Sequence, residues 1–295
     1  MAITKGTNFP AEVISDLFTK VQGHSSLAKL SQQVPIAFSG SDIFTFSMDN
    51  EVNLVAEGGV KASGAAGAEP VHMVPLKIEY GARVTDEFMY AAEERQLEIL
   101  KAFNDGFGKK AARGLDIMAM HGMNPRTATV ATALIGTNSF DTNTAVATVT
   151  YTAADPESNL EDAIAALGDY DVTGYALSKA FATAMGKLKV NGVKQYPEFA
   201  LGGNPGALGG HAADVNSTVS FAASGATSVD HAIVGDFANA FKWGYARDVM
   251  FEIIPYGDPD QSGSDLKAHN QVYLRAEAYI GWGILDPAAF VRIKT

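Results

Sequence analysis

Apolar and polar positions along the chain fall into two rhythms. In 43–56, Phe44, Phe46 and Met48 are apolar, with Thr45, Ser47 and Asp49 between them. A second and cleaner alternation places Val74, Leu76, Ile78, Tyr80, Ala82 and Val84 at period two, separated by Pro75, Lys77, Glu79, Gly81 and Arg83. Period two predicts half-buried strands. Pro75 cannot donate to a ladder, so that end is an edge or lies beyond the sheet. Between the two stretches, 57–70 reads EGGVKASGAAGAEP, a glycine-rich segment that cannot form a packed core and predicts a flexible tip. The unit 43–84 is therefore expected to be one long two-stranded hairpin, its second strand spanning roughly 36 Å. A lone ribbon is marginally stable in water. The support expected for it is another copy of the protein.

Helical spacing governs the flanks. Val13, Ile14, Leu17, Phe18 and Val21 follow Pro10, predicting a helical arm broken at Gly23 and Ser25-Ser26. After the hairpin, Phe88, Ala92, Ile99, Phe103, Phe107, Ala111, Leu115 and Met118 form one stripe, a long helix of roughly 50 Å. Thr85 is expected to cap it, and Gly122 with Asn124-Pro125 to end it. Gly106 and Gly108 are places where it could bend.

Beyond 126 the texture turns to Thr, Ala, Asn and Ser, with a strand-like TAVATVTY at 144–151. Ser158 to Glu161 fits a capping box opening a helix, and GYALSK at 174–179 fits a short strand with Ser178 capping the next helix through Lys189. Strands and helices alternate without a sustained βαβ rhythm, so the class expected is α+β.

Composition narrows the function. Hydrophobic residues make up 47% and charged residues 19% of the 295-residue chain, which suits a folded protein with a real core. The formal net charge of −11 argues against gripping nucleic acid through counterion release, though not against enclosing it. With no cysteine, thiolate metal sites, disulfides and cysteine nucleophiles are excluded. The N-terminus shows no apolar segment of a signal peptide, and no apolar run nears ~18 residues, so a soluble cytoplasmic product without membrane contact is expected.

Candidate chemistry is sparse. The six histidines (His24, His72, His121, His211, His231, His269) are scattered, with no metal-binding spacing. There is no G-x-S-x-G elbow, and the glycine-rich 202–210 lacks the G-K-[ST] of a phosphate loop. Asp258, Asp260, Ser262, Gly263 and Asp265 follow the opening of a calcium loop, but the twelfth position is His269 rather than a bidentate glutamate, and an acidic turn is the alternative. Lys61, on the tip, could form an isopeptide bond only if docked beside an asparagine and a carboxylate in a dry pocket; a solvated lysine is the other reading. Neither a cofactor nor an enzymatic activity is expected.

The order of elements carries a resemblance. NFPAEVISDLFTKVQGHSSLAKLSQQVPI, then LVAEGGVKASGAAGAEPVHMVPLKIEYGARVTDE, then a long helix ending in His121-Gly122 and Asn124-Pro125, then AIVGDFANAFKWGYARDVMFEI and the closing VYLRAEAYIGWGILDPAAFVRI together resemble the Hong Kong 97-like major capsid family of tailed bacteriophages. The resemblance runs from about residue 8 to the end. It implies an N-terminal arm (1–42), an extended loop (43–84), a spine helix in a peripheral domain (85–125), a mainly axial domain (126–270) and closing peripheral strands (271–295). It further implies self-assembly as hexamers and pentamers into an icosahedral shell around double-stranded DNA. The extended loop would lie over a neighbour through Glu57, Gly58, Gly59, Lys61, Glu69 and Pro70. Scaffold, portal and decoration proteins are the partners implied, and the virion, assembled in the bacterial cytoplasm, the location. No scaffold-like region precedes the arm, which leaves a separate scaffold, a processed form or no scaffold. An encapsulin-like compartment is the alternative with the same fold.

Overall fold

The computed structural model describes residues 24–48, 51–90, 93–223, 225–226 and 228–295. The helical arm expected over Pro10 to Val21 lies outside the described residues. No helix among the described residues is long and apolar enough to cross a membrane.

Two sheets organise the subunit. The first has four strands in the order Gln32–Gln33, Phe241–Ile254, Gln271–Ile284 and Leu76–Thr85. The long helix Glu93–His121 packs on it, about 44 Å of helix that continues through Gly106 and Gly108. Phe107, Ala111, Leu115 and Met118, one turn apart, are buried against Trp243, Ala276, Ile280 and Trp282 from the sheet. Amphipathic spacing places this helix, because its apolar stripe has one surface wide enough to receive it. Gly122 ends it at φ +62°, with its N–H bonded to the Met118 carbonyl at 2.9 Å.

The second sheet has six strands, ordered Ala207–Leu208, His211–Val215, Gly174–Leu177, Asp230–Gly235, Phe290–Lys294 and Ala147–Thr150. Helices Pro156–Leu167 and Lys179–Met185 cover one face of it, burying Leu160, Leu167, Phe181 and Met185 against Leu177, Val234 and Ile293. The other face, through Ala176, Ile233 and Phe290, joins the core under the long helix. Separate runs of strand and helix over two sheets make the α+β class, as expected.

Several boundaries differ from expectation. Strand Leu76–Thr85 does not pair within the hairpin. It pairs antiparallel with Gln271–Ile284, from Thr85 opposite Gln271 to Leu76 opposite Ile280. Its strong alternation reflects a strand whose apolar face, Leu76 and Ile78 among it, rests on the subunit's own core. The hairpin instead joins Ser41–Met48 to Ala66–Met73. Being held in that ladder, Thr85 is no helix cap, and helical structure starts at Glu87. Asp155, not Ser158, caps Pro156–Leu167, accepting the Ser158 N–H at 3.2 Å, because a proline at the first turn needs its cap one residue earlier. Ser178 caps its helix as expected, but that helix ends at Met185. Phe241–Ile254, inside the expected axial stretch, belongs to the four-stranded sheet, while the last strand, Phe290–Lys294, lies in the six-stranded one.

Candidate assembly surface

The hairpin begins on a firm seat. Residues 34–37 and 73–75 cross the face of the four-stranded sheet where Gly244, Gly281 and Gly283 leave room. A Cβ on Gly244 would lie 1.8 Å from the Val34 carbonyl oxygen, and one on Gly283 would lie 2.8 Å from Met73 Cγ. Ile36 and Met73 are buried there, and the Phe38 ring meets Tyr279 edge-on at 5.0 Å. Gly40, at φ +94° with His72 directly beneath its α-carbon, turns the chain into the blade, and the Ala37 N–H donates to Ser41 Oγ at 2.9 Å. Asp42 and His72, opposite each other in the ladder, are hydrogen-bonded side chain to side chain at the base.

Among the described residues, the support stops past that pair. Phe44, Phe46 and Met48 point to one face, opposite Pro70, Ala68 and Ala66, and remain 70%, 66% and 76% exposed. Val52, Leu54 and Val60 beyond them are almost wholly exposed. At about 3.3 Å per residue the blade reaches roughly 26 Å from its base. Covering two phenylalanines and a methionine is worth roughly 1.5–3 kcal/mol each. A soluble monomer rarely leaves such a contiguous stripe in water.

The residues expected at the tip divide between two places. Glu57 and Gly58, the latter at φ +77°, make a tight turn in which the Gly59 N–H bonds to the Ala56 carbonyl at 2.9 Å, and Lys61 follows, exposed. Glu69 and Pro70 lie in the returning strand, opposite Thr45 and Phe44. The expected tip therefore overlaps the second strand, because Ala66–Met73, rich in glycine, alanine and proline, gives no alternation to read.

The candidate calcium ligands hold a different cation. Arg83, from Leu76–Thr85, reaches into the turn: its Nη2 donates to Asp258 Oδ1 at 2.7 Å, Asp260 Oδ1 at 2.5 Å and the Ser264 carbonyl at 2.9 Å. The Arg83 guanidinium beside Asp260 holds that carboxyl well below the usual range. Asp258 also accepts the Ser262 and Gly263 N–H groups at 3.0 and 2.8 Å, while Asp265 accepts from the N–H groups of Lys267 and Ala268. A guanidinium thus occupies the position that the sequence pattern offers to a metal. Among the described residues no group of three or more metal-binding side chains converges.

Two buried networks had no local signature. The Ser25-Ser26 pair is gripped by two carboxylates from distant parts of the chain. Asp116, in the long helix, accepts from Ser25 Oγ at 2.5 Å, the Ser26 N–H at 3.0 Å, the Leu27 N–H at 3.2 Å and Thr218 Oγ1 at 2.7 Å. Burial pushes its carboxyl up to about 6. Asp214, in the six-stranded sheet, accepts from Ser26 Oγ at 2.6 Å, Lys29 Nζ at 2.6 Å and Asn204 Nδ2 at 3.0 Å. Burial raises that carboxyl, but the bonds from Lys29, Ser26 and Asn204 outweigh it and hold it low. In the second network Arg292, in the closing strand, spans Asp230 and Asp141, with His121 bonded to the Thr218 carbonyl at 2.8 Å. Spacing within the sequence could not reveal either.

What stands out among the described residues is a built and seated apolar blade left exposed. A profile of the Phage capsid family matches residues 6–295. The chain belongs to the phage capsid family. It is similar to a solved structure from Mycobacterium phage Ogopogo, with 30% identity, 92% of each chain covered and a TM-score of 0.76. A structure from Gordonia phage Cozz is 22% identical over 92% of this chain and 86% of that one, with a TM-score of 0.73. The structure titled "Capsid of native GTA particle computed with C5 symmetry" is 15% identical over 100% and 93%, with a TM-score of 0.64. A search of curated proteins gave no match. This capsid protein is a structural, non-enzymatic component of the virion shell, built from repeated copies of itself into an icosahedral particle. The family assignment favours that shell over an encapsulin-like compartment.

Proposed function

We propose that the hairpin is the strap by which neighbouring copies of this capsid protein hold one another. The observation that carries this reading is the blade's exposed stripe, Phe44, Phe46 and Met48, on a base whose apolar residues are buried. A subunit that fixes the root of a ribbon and leaves its apolar face in water has built half of an interface. The long helix and its four-stranded sheet act as the peripheral domain, and the six-stranded sheet with its helices as the axial domain around hexamer and pentamer centres. Double-stranded DNA is enclosed by an acidic wall that does not bind it tightly. Glu57, Gly58, Gly59 and Lys61 at the turn, with Glu69 and Pro70 on the returning strand, are the residues expected to meet the neighbour. Scaffold, portal and decoration proteins are the further partners proposed, and the bacterial cytoplasm the site of assembly.

The test removes the distal hairpin. A chain lacking 43–71, closed by a short glycine linker, should keep the cooperative unfolding of the full chain yet give no closed shells in electron micrographs. Normal shells from that chain would refute the strap.

A further inference from the structure

We infer that the open edge of strand Leu76–Thr85 receives strand Ser41–Met48 from a second copy of this chain, extending the four-stranded sheet from one subunit into the next. The inference rests on the strap reading and names the surface the strap engages.

The two edges of that sheet are treated differently. On one side Gln32–Gln33 pairs with Lys242 and Trp243, and the strand beyond, Phe241–Ile254, shifts register between Tyr245 and Arg247 and again before Met250. Bulges of this kind twist an edge away from new partners. The other side has neither device. Leu76–Thr85 keeps unbroken register with its inner neighbour over its whole length and is the last strand of the sheet among the described residues. Its outer N–H and C=O groups form a regular template for another strand. Of its three ionised side chains, Lys77 is paired with Glu277 at 2.8 Å and Arg83 is committed to the acidic turn, which leaves Glu79 alone to guard that template.

The hairpin offers one matching edge. Its returning strand, Ala66–Met73, carries Pro70 at mid-length, and a strand proline sits with its missing donor turned outward. That outer edge is blunted. Ser41–Met48 has no proline, lysine or arginine, and its aromatic and β-branched content suits a ladder. Eight residues fit within the ten of the receiving strand. Side-chain chemistry agrees with the backbone. Beside the open edge, Tyr80 is 45% exposed, an apolar fringe backed by Phe103 of the long helix with ring centroids 5.9 Å apart. Phe44, Phe46 and Met48 share one face of the incoming strand, so in a continued sheet they would cover that fringe. Ile43 and Thr45 would then share the opposite face with Glu79.

The chain has no cysteine, so engineered pairs report without background. Glu79→Cys is combined in turn with Ile43→Cys, Thr45→Cys, Phe44→Cys or Phe46→Cys, shells are assembled under reducing conditions, and the particles are then oxidised. Disulfide-linked multimers should form for the pairs with residue 43 or 45 and fall at least tenfold for those with 44 or 46, which occupy the other face. Links to residues 66–73 instead, a Glu79→Cys self-link between two copies, or no link in intact particles would overturn the inference. Amide exchange on the unsubstituted protein gives an independent answer. Both 41–48 and 76–85 should gain protection on going from free subunits to shells; unchanged exchange at 76–85 overturns the inference as well. Should the chain lacking 43–71 fail to build shells while these links never form, the strap would stand and only its receiving strand would be wrong.

Discussion

Two stretches of chain lead up to the long helix, and the subunit treats them in opposite ways. The segment around Ser25-Ser26 is drawn inside, its two hydroxyls answered by Asp116 and Asp214. The blade that follows turns phenylalanine and methionine outward, with nothing among the described residues to cover them. A buried hydroxyl left unanswered costs about 1–3 kcal/mol, so the first arrangement must be completed within the subunit. An exposed apolar stripe loses nothing until a partner arrives. The contrast teaches which contacts belong to folding and which are held back for assembly.

The contrast breaks most sharply at Asp116. Asp116→Ala strands Ser25 Oγ, Thr218 Oγ1 and two backbone N–H groups, and should cost about 4 kcal/mol of subunit stability in a denaturant titration. A loss below about 1 kcal/mol would mean that the segment is not held by this carboxylate.

A smaller effect follows from its titration. The Asp116 carboxyl lies at about 6 in the fold, against about 3.9 in an unfolded chain. Its folded value is raised, so its contribution is fully present below about pH 4 and is lost as pH rises through 6. Measured against Asp116→Asn, the unsubstituted protein should lose on the order of 2–3 kcal/mol between pH 4 and 7.5. His121 and His231, whose burial depresses their protonation, act in the opposite sense below about pH 6.5, but equally in both proteins, and so cancel. A difference that stays flat over this window would count against the buried carboxyl.

How much of this was readable depended on where each residue's partners lie along the chain. The long helix and its stop at Gly122 were legible because stripe and terminator are local. The family was legible from the order of motifs over nearly the whole chain. The hairpin was seen, but its second strand was misplaced. The strongest alternation, Leu76 to Val84, belongs to a strand resting on its own core, while Ala66–Met73, which does pair with Ser41–Met48, has too few apolar positions to alternate. Period two marks a strand with one buried face; it does not say which strand lies alongside. Asp258 and Asp260 looked like metal ligands because carboxylates at that spacing suit any cation, and the one that fills them, Arg83, comes from 175 residues away. The Ser25 bond to Asp116 spans 91 residues, beyond any local pattern.

The least effect on folding, and the greatest on assembly, is expected from the blade itself. The most direct measurement is therefore made on Phe44→Ser combined with Phe46→Ser, read twice: unfolding of the free subunit, and shell yield by electron microscopy. The expected result is stability within about 0.5 kcal/mol of the unsubstituted subunit, together with loss of closed shells. Normal shells, or a subunit destabilised by several kcal/mol, would show that the stripe is not an interface kept for a second copy.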